Sequence, residues 1–125
     1  MRLSEAIRWG ARRGAQVRGK LHDARTSATC ALGAAAAAMG AYEDDLPIDR
    51  GNVMRRMREL FPILRATLGP GGETVEKAIA ALNDRHGLTR EEIASRVAAW
   101  EGALGCAPRA DTRRTPEPRD AARAA

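Results

Sequence analysis

The chain has 125 residues and a formal charge of +5, which permits one domain and excludes a multi-domain enzyme, a (β/α)8 barrel and most dinucleotide-binding folds. Hydrophobic residues make up 44% of it, but 26 of them are alanine, and Leu, Ile, Val and Phe together number 20. So little aliphatic bulk excludes a large core; with the alanine clustered and the charge moderate, it predicts a folded but thinly cored helical domain with a loose tail.

A first helix is predicted from Leu3 to about Gly14, with Ser4 as its N-cap and Glu5 complementing the positive end of the dipole. At 100° per residue, Leu3, Ile7, Gly10, Ala11 and Gly14 fall on one side, and Arg8, Trp9, Arg12 and Arg13 on the other. Gly10 and Gly14 cost helix propensity, so either they admit a close neighbour or the helix frays. Residues 15–27 read as a loop. A second helix is expected from Ser27 or Ala28 to Met39, because the five alanines 34–38 favour helix and leave almost no side-chain bulk. Gly40 stops it, and Glu43 to Pro47 form an acidic turn or loop.

The third helix begins at Asp49 or Asn52. Val53, Met54, Met57, Leu60, Phe61, Leu64 and Leu68 share one stripe, so the pattern predicts a kink at Pro62 with continuation beyond it. Pro62 as the first residue of a new short helix is the competing reading. Gly69-Pro70-Gly71-Gly72 is the strongest breaker in the chain. A fourth helix buries Val75, Ala78, Ile79 and Leu82 and ends near His86, with Gly87 just past its end. Thr89-Arg90-Glu91-Glu92 is a capping box that opens a fifth helix burying Ile93, Val97, Trp100 and Leu104. The expected architecture is therefore all-α, a small orthogonal bundle of four to five short helices over residues 1–104. Its best-defined part is the 73–104 helical hairpin, and a disordered basic tail over 105–125 follows, marked by three prolines and alternating charge.

Three segments, Leu3-Ser4-Glu5-Ala6-Ile7 with Gly10-Ala11, Cys30-Ala31-Leu32-Gly33-Ala34-Ala35, and Leu82-Asn83-Asp84 with His86 and Thr89-Arg90-Glu91-Glu92-Ile93-Ala94, occur in that order. Together they resemble a group of small uncharacterised proteins encoded by bacteria and their phages, over roughly residues 3–102. That group usually has Trp where this chain has Leu88, and a further Asp-Trp near Ser95-Arg96. Some members also carry paired cysteines that are missing here, which argues against a zinc site in this chain. The resemblance implies a shared fold and a phage or prophage origin, and it supplies no mechanism.

Charge is unevenly distributed. Residues 1–25 hold seven basic and two acidic side chains, 26–104 hold nine and eleven, and 105–125 hold five and three. Because 19 of the 21 basic residues are Arg, a G+C-rich coding sequence accounts for much of the pI, and the N-terminal clustering is the better signal. Arg8, Arg12, Arg13 and Arg18 make a basic patch that would attract nucleic acid at low salt, or else form an ordinary solvated face. Trp9, set among these guanidinium groups, either presents an aromatic anchor to a partner or packs against the 15–27 loop or another helix.

The remaining polar residues favour structural roles. His86 shares the stripe of Val75, Ile79 and Leu82, and at a helix C-terminus imidazole commonly bonds a free carbonyl. With Asn83, Asp84, Thr89 and Glu92 it forms a candidate structural polar site. A calcium loop centred on Gly87 would take Leu82 and Ile93 as its first and last ligands, and neither has an oxygen to offer. Zinc would have to draw on Cys30, Cys106, His22 and His86, which contain no close pair. Cys30 in an alanine-rich helix reads as a small core residue rather than a nucleophile. Gly69-Pro70-Gly71-Gly72 lacks the Gly-Lys-Ser/Thr of a phosphate loop. Helices 73–86 and 89–104 have the lengths of a helix-turn-helix, but Glu91 and Glu92 would lead the recognition helix with the wrong sign.

No secretory leader and no apolar run of about 20 residues is visible, so the chain is expected in a reducing cytoplasm, the host's if it is phage-encoded, with no membrane contact. No catalytic, cofactor-binding or metal-binding residue is expected. The functional expectation is a non-enzymatic interaction protein that self-associates or leans on a protein partner, since small domains bury little surface alone. A nucleic-acid-binding accessory or regulatory protein using the basic N-terminal helix is the alternative.

Overall fold

A computed structural model describes residues 1–23, 25–26, 28–41 and 49–105. Among these it contains helices α1 (Leu3–Ala11), α2 (Ala31–Ala38), α3 (Arg50–Leu60), α4 (Val75–Asp84) and α5 (Arg90–Ala103), with a 3-10 helix at Pro62–Arg65 between α3 and α4. The fold is all-α; three isolated β-bridges, Gln16–Thr29, His22–Thr29 and Thr67–Thr74, occur among the described residues but no strand. The acidic 43–47 stretch, Ser27 and residues 106–125 of the expected 105–125 tail lie outside the described residues.

Helix α2 sits at the centre because alanine and glycine permit it. Ala31 through Ala36 are all buried, and the helix is flanked by α1, α4 and α5. A helix apolar all round belongs in a core, and one without bulk lets its neighbours close in. The core is completed by Leu3 and Ile7 from α1, Met54 and Met57 from α3, and Ile63 and Leu64 from the 3-10 helix. Val75 and Ile79 from α4 and Ile93 and Val97 from α5 close it. Each fully buried aliphatic side chain contributes about 1.5–3 kcal/mol.

Several local expectations are corrected. The N-cap of α1 is Arg2, whose amide donates to Glu5 Oε1 at 2.7 Å, and Ser4 lies inside the first turn, buried. Helix α1 stops at Ala11, and Gly14 is exposed. Helix α2 starts at Ala31 because Ala28 to Cys30 run extended and bond the preceding loop. Val17 N donates to Thr29 O at 3.0 Å, Thr29 N to Ala15 O at 2.9 Å, and Cys30 N to Leu21 O at 3.1 Å. Residues 15–21 of the expected loop are thus clasped to the segment that leads into α2.

Helix α3, capped by Asp49, does not continue through Pro62. Phe61 takes φ −130°, ψ 82°, outside the helical region that the ring of a following proline disfavours, and Pro62 opens the 3-10 helix. The stripe is therefore reset, leaving Leu60 exposed while Phe61 and Leu64 are buried. At the end of α4 the amides of Arg85 and His86 both turn back onto Ala81 O, and Gly87 takes φ +67°. That reversal leaves His86 exposed instead of on the inner stripe. In α5, Ile93 and Val97 are buried as expected, whereas Trp100 is half-buried and Leu104 exposed. The buried position in that last turn belongs to Glu101.

Candidate interaction surface

Helix α1 is committed on one face only. Leu3, Ala6, Ile7 and Gly10 are buried against α2 and α5, and a Cβ on Gly10 would stand 1.8 Å from Ala34 O. The opposite face carries Trp9, which is 51% exposed, with the Arg12 guanidinium 5.8 Å from its ring centroid. That is a cation–π distance at which Arg12 stiffens the indole without hiding it.

The four arginines expected to form one patch do not all stay together. Arg12 and Arg13 stay on the exposed face. Arg8 reaches α5, where its Nε donates to Glu91 Oε2 at 2.7 Å and its Nη2 to Ser95 Oγ at 3.1 Å. Arg18 reaches the turn after α4 and donates to Gly87 O at 3.2 Å. Between the end of α1 and the start of α5 lies an open groove of ≈ 330 Å³, lined by Arg8, Arg12, Gln16, Thr89, Arg90 and Glu91.

Arg90 carries no local sequence signal for this role, and among the described residues it is the most heavily bonded charge. It is 8% exposed and donates to Thr29 Oγ1 at 2.9 Å, Ala11 O at 3.3 Å and Gly14 O. It thereby satisfies carbonyls at the negative end of α1 and pins the start of the clasped loop. Burial lowers its pKa from the usual guanidinium value. No carboxylate among the described residues makes an ion pair with Arg90 or with Arg12.

The candidate polar site resolves into two parts. Asn83, 1% exposed, is the hub of one: its Oδ1 accepts from Gln16 Nε2 at 2.8 Å and Ala31 N at 3.2 Å. Its Nδ2 donates to Val17 O at 3.0 Å and Asp84 Oδ1 at 2.8 Å, while Gly19 N donates to the same Asp84 oxygen at 2.9 Å. The other part is the capping box of α5. Glu92 N donates to Thr89 Oγ1 at 3.1 Å and Thr89 N to Glu92 Oε1 at 2.8 Å, which holds the Glu92 carboxyl below the usual glutamate range. His86 belongs to neither. Sequence reasoning also passed over Glu101, which is 3% exposed and accepts from Ser4 Oγ at 2.6 Å and Ser4 N at 3.4 Å. A signal for such positions exists only in the third dimension, since their partners lie 61 or more residues away.

Cys30 caps α2 by accepting from Gly33 N at 3.3 Å, and burial pushes its thiol above the usual range, away from the reactive thiolate. Beside it, Lys20, Arg50, Asn83 and Asp84 line a cavity of ≈ 10 Å³, room for about one water. Among the described residues no three His, Cys, Asp or Glu side chains are grouped to hold a metal ion. No helix among them is long and apolar enough to cross a membrane. The leading turn of α5 is bonded to the end of α1, with Arg8 on Glu91 and Arg90 on the carbonyls of Ala11 and Gly14, while Thr89, Glu91 and Glu92 themselves stay exposed. Compared with family models, with curated proteins and with solved structures, the chain matches none.

Proposed function

We propose that this chain is a non-enzymatic interaction protein of phage or prophage type, acting in the cytoplasm, that docks a protein partner through the outer face of α1. The observation that carries the reading is Trp9, half exposed and braced by Arg12 on a helix whose other face is fully committed. Trp and Arg are the residues most enriched at the energetic centres of protein interfaces, and a braced indole loses little entropy on docking. The likeness of three segments to small phage-encoded proteins is the ground for the proposed origin.

A nucleic-acid partner is the second reading, supported by the basic surplus of residues 1–25. It is weakened by the separation of the patch: Arg8 is neutralised by Glu91, and Arg18 lies at a different edge. A photoreactive residue placed at position 9, 12 or 13, with positions 56 and 65 as exposed controls, tests the proposal in the native host. Protein cross-links confined to the first set are expected. Cross-links spread evenly over both sets, or duplex DNA binding that falls steeply with salt, would transfer the argument to the second reading.

A further inference from the structure

We infer that the groove between α1 and α5 receives an acidic segment of the protein partner, one of whose carboxylates takes the place of Glu91 on Arg8. This rests on the reading that α1 is the docking helix, and it names the chemistry of what docks.

Three observations carry it. The groove has about the volume at which ligand clefts begin, roughly 300 Å³, suited to a side chain or two rather than to an extended polymer. Its charge is unbalanced: Arg8, Arg12 and Arg90 line it against Glu91 alone. Arg90 is buried without a carboxylate, so the groove floor presents a positive charge that carbonyl dipoles offset only in part. Finally, Glu91 already shows the mode of recognition, a carboxylate oxygen 2.7 Å from Arg8 Nε. Its side chain is 67% exposed and in a single-point contact, so it can swing into water at little cost.

Displacement exchanges one carboxylate for another, leaving Arg8 paired and releasing Glu91 to solvent. Glu91 thus acts as an internal stand-in that the partner must outcompete. Arg12 meets the second acidic group of the segment, and Trp9 packs beside it. A phosphate strand fits this site less well, because Glu91 and Glu92 in the same turn of α5 repel successive charges along it.

The test uses the full chain carrying Trp100→Phe, so that Trp9 alone reports, titrated with an acetylated and amidated Gly-Glu-Leu-Glu-Gly peptide at low salt. Binding is expected to perturb Trp9 emission and to weaken as salt rises. Glu91→Gln, which keeps the Thr89–Glu92 cap, is expected to tighten binding about two- to fivefold, and Arg12→Gln to weaken it about as much. Unchanged or weaker binding by Glu91→Gln, with the fold intact by circular dichroism, overturns the inference. So does tighter binding of inorganic phosphate or duplex DNA than of the peptide. Cross-links at position 9 without a Glu91→Gln effect would leave the docking helix standing and remove the groove. Peptide binding that responds to Glu91→Gln while position 9 yields no protein cross-link would do the reverse.

Discussion

Gly10 shows how much one missing methyl group determines. Its Cα lies so close to α2 that an added Cβ would meet Ala34 O, C and Cα at 1.8, 2.4 and 2.8 Å, all backbone atoms that cannot step aside. Gly10→Ala is therefore expected to destabilise by about 3 kcal/mol or more despite alanine's better helix propensity, the upper end of overpacking costs. Gly102, in α5, is the control: a Cβ there meets nothing within 4 Å, so Gly102→Ala should stabilise by roughly 0.5–1 kcal/mol. Opposite shifts of the urea midpoint for the two variants would check both. The sequence alone admits two readings of Gly10, a close neighbour or a fraying helix; the neighbour, Ala34, lies 24 positions along the chain, beyond the reach of local periodicity.

At the scale of elements, caps and clasps hold short helices in place. Thr89→Ala removes an N-cap oxygen and should cost about 1 kcal/mol, read from denaturant unfolding. The same cap gives a pH dependence. The Glu92 carboxyl sits below its unfolded value because Thr89 donates to it, first from its amide and then from its hydroxyl. Its contribution is therefore present above the unfolded pKa and is lost as pH falls through the folded one. In Glu92→Gln the acid limb of the stability profile should lose that component below about pH 4.5, the ordinary glutamate region. Arg90 clasps the 11–14 turn and Thr29 onto α5. Arg90→Ala leaves buried Thr29 Oγ1 and the part-buried carbonyls of Ala11 and Gly14 without this donor, for about 3 kcal/mol of lost stability. Arg90→Lys should recover only part of it, since an ammonium lacks the planar fork that reaches both carbonyls and Thr29. Thermal unfolding of the two variants measures the difference.

For the whole molecule, stability rests on a small core built around a helix of alanines. Cys30 stands at the start of that helix, buried and with its thiol pKa raised. In a Cys106→Ser chain, alkylation of Cys30 at pH 8 should proceed at the rate of unfolding rather than of local fluctuation. Added urea should accelerate it along the slope of the global transition. A rate independent of urea would place Cys30 in a region that opens by itself. The all-α class, the position of the capping box, the reversal at Gly87, the inner face of α1 from Leu3 to Gly10 and that of α4 apart from half-buried Leu82 were legible beforehand because each depends on neighbours within a turn or two, although α4 ends at Asp84, short of His86. Tertiary structure decided where α1 and α2 stop and start, since the carbonyls and amides there bond residues from distant parts of the chain. It also separated the basic patch, drawing Arg8 to Glu91 and Arg18 to Gly87, and placed His86 outside the polar site. Helical periodicity and capping act through local geometry that the order of residues specifies directly. Which charge meets which carbonyl across the bundle depends on how the helices cross, and alanine, with no side chain to interlock, leaves that crossing to the assembled core.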